Sequence, residues 1–389
     1  MPVSTGLSHR IFIRFSPAVF QCSCAARRRP CVHALALAAL YNLAGDADFP
    51  PADELPDWAA FSAGEARFAH LRSNNEQAAV ARREQRHFDR LERATEGLAD
   101  LENWLEDLLR RGLATTMSES EKPFSGIATR LADASLPGPA RLFRNLQGNA
   151  AGANVESVAS VLGACYLAIR SFKKRDMLPS PLVFDLQTFL GIAIKKEEVL
   201  QNGERMADTW SVLGRVEEPL EERLWQRRTW LQGASGRFAL LLDFAFGESD
   251  FGPGFSPGTS WQGTLAFYPS NYLQRAIPAE ELQACSGTMP PPNTYNNLEA
   301  LAVAYAGALG RQPWLSWFPA VVDLIPTPDR QAFDSEKKGV PLQISTPINW
   351  KLVSVSGGRP LRIFGEWDGH SLRPLAFWET PEIFRNLPP

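Results

Sequence analysis

The sequence predicts an α+β protein in three parts: an N-terminal ββα metal knuckle, a helical middle region and a C-terminal antiparallel β-rich domain. Three observations carry that expectation. Four metal donors, Cys22, Cys24, Cys31 and His33, fall close together in a C-x-C…C-x-H pattern. Apolar residues then recur at helical spacing through the middle of the chain. Beyond Lys195 the period shifts to short alternating or apolar runs between Gly and charged breaks, as in strands. The expected boundaries are 1–45 for the knuckle, 46–76 for a linker, 77–192 for the helical region and 193–389 for the β-rich domain, with a helix inserted near 294–309.

Zinc is the metal that suits this donor set. Residues two apart on an extended strand project from one face, so Cys22 and Cys24 can present both sulfurs to a single ion. Cys31 follows Pro30 and is expected in the turn before a helix, with His33 in that helix's first turn. Thiolates and one imidazole filling all four tetrahedral positions leave none for water, which points to one structural Zn2+ and not a catalytic one. A disulfide, or three unrelated buried thiols, are the alternatives. Neither explains why three of five cysteines and one of five histidines lie between positions 22 and 33.

The pattern C-x-C, a short basic spacer (Ala25-Ala26-Arg27-Arg28-Arg29-Pro30) and P-C-x-H running into an Ala/Leu helix resembles the SWIM zinc finger, with the short spacer of bacterial members. Two further blocks, Glu96 to Leu113 and Lys195 to Leu200 followed by the Trp210 and Arg227 to Leu231 strands, resemble stretches of the same bacterial family. The resemblance implies a module that binds DNA or a protein, and RNA is a further expected nucleic-acid partner. The bacterial family looks to be encoded near MoxR-type AAA ATPases and von Willebrand A domain proteins, so a protein partner of that kind is expected, and no activity is implied. Family members carry a further segment before the first strand, so the native start is expected upstream of Met1.

Composition limits the function classes. The 389 residues suffice for two or three domains with real cores. A net charge of -3 and a pI near 6.0 restrict any nucleic-acid contact to a local patch. The one basic cluster of that kind is Arg27, Arg28 and Arg29, in the spacer between the ligand pairs. Three guanidiniums held there could grip phosphates or an acidic protein surface. No run approaches the roughly 18 apolar residues of a membrane span, and the start lacks a secretory signal's apolar core, so no membrane partner is expected. Thiols poised for metal without a disulfide framework point to the cytoplasm.

Taken in order, His9 to Phe15 alternates as a strand leading to the cysteine hairpin, and Val32 to Ala44 reads as a helix with Leu37, Leu40, Tyr41 and Ala44 on one face. Residues 46–56 are acidic and Pro-rich. Gln77 to Ala94 is a charged helix whose Arg82 to Arg90 run is a solvated face, and Leu91 to Leu109 an amphipathic helix capped by Gly112. Helices follow at Phe124 to Ala134, Pro139 to Leu146, Val155 to Phe172, with Cys165 as a core thiol, and Pro181 to Leu190. Strands are expected at Thr209 to Gly214, Arg223 to Leu231, Phe238 to Phe246 and Gly263 to Tyr268, then a helix at Thr294 to Leu309. Further strands are expected at Trp317 to Leu324, Ala332 to Phe333, Trp350 to Val355, Leu361 to Trp367 and Leu372 to Trp378. Ser356-Gly357-Gly358 and Asp368-Gly369 mark hairpins, and the whole should form a curled sheet or barrel. Nine of eleven tryptophans lie beyond residue 200, and interleaved with Leu and Phe they read as core and not as a stacking platform.

Catalytic patterns are weak. Gly254-Phe255-Ser256-Pro257-Gly258 matches G-x-S-x-G, but Pro257 has no N–H for an oxyanion hole and no helix follows. Glu217-Glu218 and Glu221-Glu222 read as a solvated hairpin turn, and Asp368-Gly369-His370 as a β-turn. No phosphate-binding loop is present. The expectation is therefore a non-enzymatic interaction adaptor, with an enzyme site in the Trp-rich β domain as the alternative.

Overall fold

Apolar alternation after His9 gives two short strands, β1 (Ile11–Phe15) and β2 (Ala18–Cys22), which pair antiparallel in the computed structural model. The structure describes residues 9–15, 18–26, 30–44, 64–119, 123–148, 155–192, 194–247, 250–252, 254–285, 292–380 and 382–387. The chain divides into two units, Met1–Asp89 and Arg90–Pro389.

In the first unit the hairpin leads to α1 (Val32–Ala44), with the bounds read from the sequence. Its core is small: Cys22, Cys31 and Ala34 are buried, with Ile11, Phe20 and Cys24 packed against them. The apolar face expected on α1 is only partly covered. Leu37 and Tyr41 are half-buried, whereas Leu40, Val32, Leu35 and Leu43 are exposed. The linker expected over 46–76 needs correction at its end, because α2 (Gly64–Arg111) is already helical from Gly64; residues 46–63 lie outside the described ones. With no Pro or Gly between the charged stretch and the amphipathic one, a helix once nucleated runs through both.

In the second unit, Ala94, Leu98, Leu101, Leu105 and Leu108 of α2 are buried as one stripe. Leu109, one step off it, is exposed. Gly112, at φ +88°, ends the helix by donating its N–H to the Leu108 carbonyl at 2.9 Å. There follow α3 (Leu113–Glu119), α4 (Ser125–Asp133), α5 (Pro137–Gly148), α6 (Val155–Lys173) and α7 (Ser180–Leu190). They enclose Phe124, Ile127, Leu131, Phe143, Ile169 and Leu186. Cys165 is fully buried there, and burial pushes its thiol up to about 12, so it is a core thiol. Arg90 is not part of a solvated face: its Nη2 donates to the Gly191 carbonyl at 2.9 Å. Helices α5 and α7 touch at backbone distance. A Cβ on Gly138 would stand 1.9 Å from the Phe189 carbonyl oxygen. Gly138→Ala should therefore cost about 1–3 kcal/mol in urea unfolding, as overpacking against an immovable backbone does.

The β-rich half begins after α8 (Lys196–Asn202). Strands β3 (Glu204–Glu221), β4 (Leu224–Gly233), β5 (Phe238–Phe246), β6 (Ser260–Phe267), β7 (Arg275–Pro278) and β8 (Gln283–Cys285) form one sheet. The additional pairing of β3 with β6 closes five of them in the order β3-β4-β5-β7-β6, with β5 and β7 parallel and the other pairs antiparallel. Trp210, Val212, Leu231, Leu241, Leu265 and Phe267 fill one buried cluster of this barrel. After α9 (Leu298–Arg311), capped by Asn297 Oδ1 accepting from the Ala300 N–H, come β9 (Phe318–Pro326), β10 (Gln331–Phe333) and β11 (Gly339–Pro341). Helix α10 (Thr346–Ser356) precedes β12 (Leu361–Trp367), β13 (Leu372–Thr380) and β14 (Ile383–Asn386). The second sheet runs β11-β10-β9-β12-β13-β14. It packs on the barrel through Leu213, Val216, Trp230 and Leu240 against Val321, Phe364, Leu375 and Trp378. Gly214 permits the approach, since a Cβ there would lie 2.9 Å from Leu375 and Phe364 atoms.

One expected strand is a helix. Trp350 to Val355 lies in α10, where Pro347 pre-sets the first turn, Leu352 is buried and Trp350 is exposed. Ser356-Gly357-Gly358 accordingly ends that helix and turns no hairpin: Gly357 is left-handed at φ +54° and donates its N–H to the Val353 carbonyl. Asp368-Gly369 does join β12 to β13. Trp210, Trp230, Trp314, Trp367 and Trp378 are buried as core. Trp314 sits in the helical cluster and donates Nε1–H to the Ala164 carbonyl at 3.1 Å, a placement its sequence context did not reveal.

Candidate metal centre

Each donor at the N-terminus is placed by a separate local rule. Cys22 closes β2 opposite Ile11. Arg10 and Ser23 continue the hairpin one step past it, the Ser23 N–H donating to the Arg10 carbonyl and the Arg10 N–H to Ser23 Oγ, both at 2.9 Å. This fixes the bend that brings Cys24 beside Cys22. Cys31 precedes α1, where its carbonyl accepts the first helical bond, from the Leu35 N–H at 3.0 Å. His33 is in the first turn.

These four residues converge. One donor atom from each of Cys22, Cys24, Cys31 and His33 lies within 4.8 Å of the other three. His33 turns Nδ1 toward the Cys22 sulfur, 3.9 Å away, and its ring lies against His9 with centroids 4.4 Å apart. Electrostatics prepare a thiolate. The Ala34 backbone N–H, at the helix start, is the main cause pulling the Cys31 thiol down to about 6, with the Cys24 and Cys22 thiols adding to it; burial pushes Cys22 the other way. Three thiols and one imidazole at these separations are consistent with a Cys3His zinc site. Arg27, Arg28 and Arg29 lie outside the described residues.

The other sequence candidates separate. Ser256 lies in the loop between β5 and β6, where its carbonyl accepts from the Thr259 N–H and hydroxyl, with no helix behind it. Asp368 is a turn residue: its carboxylate accepts from the backbone N–H groups of His370 and Ser371 and from the Ser371 hydroxyl. Glu217 and Glu218 are not in a hairpin turn. They lie within β3 opposite Arg227 and Gln226.

Glu218 belongs to a buried ionic cluster that the sequence reading missed. Arg228, 1% exposed, donates Nε to Glu366 Oε1 at 2.7 Å and Nη2 to Glu366 Oε2 at 2.8 Å. Its Nη1 meets Glu218, and its guanidinium lies 4.4 Å from the Trp317 ring centroid. Trp230 Nε1–H also donates to Glu366 Oε1, and Arg373 donates to Glu218 Oε2 at 2.7 Å. Burial works to raise the Glu218 carboxyl, but the two arginines outweigh it and hold it below the usual range. The available signal was a pair of adjacent arginines between the tryptophans of the strand Leu224–Gly233.

Among the described residues no helix is long and apolar enough to cross a membrane. Comparison with curated proteins and with solved structures finds no match. Residues 89–190, from the second half of α2 through α7, match the family model of the SWIM-associated four-helix bundle domain. The block Glu96 to Leu113 lies inside that match, whereas the block from Lys195 onward lies outside it. The matched bundle and the Cys3His cluster before it together fit a SWIM zinc finger and relate this chain to SWIM zinc finger proteins.

Proposed function

We propose that residues 9–44 are a SWIM-type finger folded by one structural Zn2+, and that the chain is a non-enzymatic, cytoplasmic adaptor docking a partner through this finger. The convergence of Cys22, Cys24, Cys31 and His33 carries the reading. Among the described residues the buried core of this segment is three side chains, and chains below roughly 40 residues need a metal or another staple to fold alone. Zinc supplies the missing folding energy here by binding thiolates and imidazole, and it does no chemistry on a substrate.

The exposed apolar side chains of α1, Val32, Leu35, Leu40 and Leu43, favour a protein partner over a nucleic acid. A MoxR-type AAA ATPase or a von Willebrand A domain protein is the class to try first. Against the rival reading, an enzyme in the Trp-rich β domain, stands the burial of Trp210, Trp230, Trp367 and Trp378 as core.

Zinc-loaded protein is to be titrated with single- and double-stranded DNA and RNA at rising salt, beside a variant with Arg27, Arg28 and Arg29 changed to Ala. The expected outcome is no binding near physiological salt. Binding whose log–log salt slope becomes shallower by about two to three units in the variant, as three lost phosphate contacts require, would overturn the protein reading in favour of nucleic acid.

A further inference from the structure

Strand β5 carries one face of the barrel beyond the second sheet that covers it. Side chains alternate along a strand, so Phe238, Leu240, Leu242, Phe244 and Phe246 share a face. The first three pack against the second sheet. The last two stand clear of it, Phe244 49% and Phe246 75% exposed. On the opposite face Ala239 and Leu241 lie in the barrel. Asp243 follows them there, its Oδ2 accepting from Arg227 Nε at 3.1 Å and Nη2 at 3.0 Å.

The backbone of the same stretch is open along one edge. β4 pairs with β5 from Phe238 to Phe246, whereas β7 pairs with it only at Leu240 and Leu241. Gly247 donates its N–H to the Arg223 carbonyl at 2.8 Å. Alternation then turns the N–H and C=O groups of Asp243 and Ala245 toward β4, and those of Leu242, Phe244 and Phe246 away from it. The parallel ladder to β7, in which the Leu240 N–H reaches the Gln274 carbonyl at 2.8 Å, uses every second residue of β7. The donor due to reach the Leu242 carbonyl is Pro278, which has no N–H. From the Leu242 carbonyl through both backbone groups of Phe244 and of Phe246, this edge has no backbone partner among the described residues. Exposed apolar side chains beside an unpaired backbone edge make a template for another strand.

We propose that this edge pairs antiparallel with the same edge of a second copy of the chain, about a two-fold axis at Phe244. The stretch is self-complementary in that register. Phe244 faces its own counterpart, and Leu242 faces Phe246 of the other copy, apolar on apolar. Asp243 faces Ala245, so no two carboxylates are opposed. The Phe244 N–H and C=O of each copy bond those of the other, and each open Leu242 carbonyl accepts from the other copy's Phe246 N–H. Gly247, left-handed at φ +94°, ends the strand, so the contact is short and belongs with small, concentration-dependent interfaces. Being isologous, it closes at two copies. The proposal stands apart from the zinc finger.

The test is sedimentation equilibrium of the zinc-loaded full chain from about 1 μM to about 0.3 mM, a span that reveals pairs of micromolar Kd. The wild-type protein should pass from monomer to dimer and stop there. Phe244→Lys, at an exposed position, should weaken dimerisation at least about tenfold and leave Tm unchanged, because it opposes two ammonium groups and removes two phenyl rings. Leu43→Lys, on the exposed face of α1, should leave the dimer intact and so separates this surface from the finger. Register is read by cross-linking under mild oxidation. The Cα atoms of a hydrogen-bonded antiparallel pair are about 5.5 Å apart, within the span of a disulfide, so Phe244→Cys should link to its own copy above the wild-type background. Phe246→Cys should not, since its counterpart would lie about 13 Å away along the strand. The proposal is overturned if the chain stays monomeric throughout, which would leave the edge to a strand of another protein. It is equally overturned if Phe244→Lys leaves the dimer intact, if Leu43→Lys abolishes it, or if Phe246→Cys links better than Phe244→Cys.

Discussion

Cys31→Ser should lower bound zinc well below the one ion per chain expected of the wild-type protein, and residues 9–44 should lose their amide protection in hydrogen exchange. The effect is expected to be large because the site and the fold of this segment are the same structure. Structural zinc contributes on the order of 10 kcal/mol to small metal-dependent folds at neutral pH. The described apolar core here is Cys22, Cys31 and Ala34, two of which are themselves candidate ligands. Cys31 is the ligand whose thiolate is best prepared, held by the backbone at the start of α1, so its loss removes both a charge and the link between hairpin and helix. Cys285→Ser, on β8, is the control and should keep full zinc. Unchanged metal content in Cys31→Ser would remove the site.

The second large effect is expected in the β-rich half. Glu366→Gln should destabilise it by about 3–5 kcal/mol in urea unfolding, because the Arg228 guanidinium would remain buried with its bidentate partner gone. Glu218 remains near Arg228 but is shared with Arg373, so it cannot neutralise both. The contrast that identifies the cause is a double replacement, Arg228→Met with Glu366→Leu. Removing both charges should recover most of the loss, since a buried pair and an apolar filling of similar volume are often close in stability. Arg228 belongs to the barrel and Glu366 to the second sheet, so the ion pair fixes how the two sheets align. A loss below about 1 kcal/mol in Glu366→Gln, the size of an exposed pair, would mean that water reaches the cluster.

The sequence by itself determined whatever depends on neighbours along the chain. The convergence of the four donors was legible because Cys22 and Cys24 share a hairpin and Cys31 and His33 share a helix start, so spacing alone brings them together. Helices α1 and α4 to α7, and strands β4, β5, β9, β12 and β13, were legible from apolar periods bounded by Gly and Pro, though α10 shows that a short apolar run with β-branched residues reads equally well as strand or helix. Only the tertiary structure decided what joins distant positions. Closure of the barrel depends on β3 pairing with both β4 and β6, and the ionic cluster joins Glu218, Arg228, Glu366 and Arg373 across four strands. Neither leaves a local periodic mark, because a strand's two edges and a charge's eventual partner are properties of the fold and not of the segment.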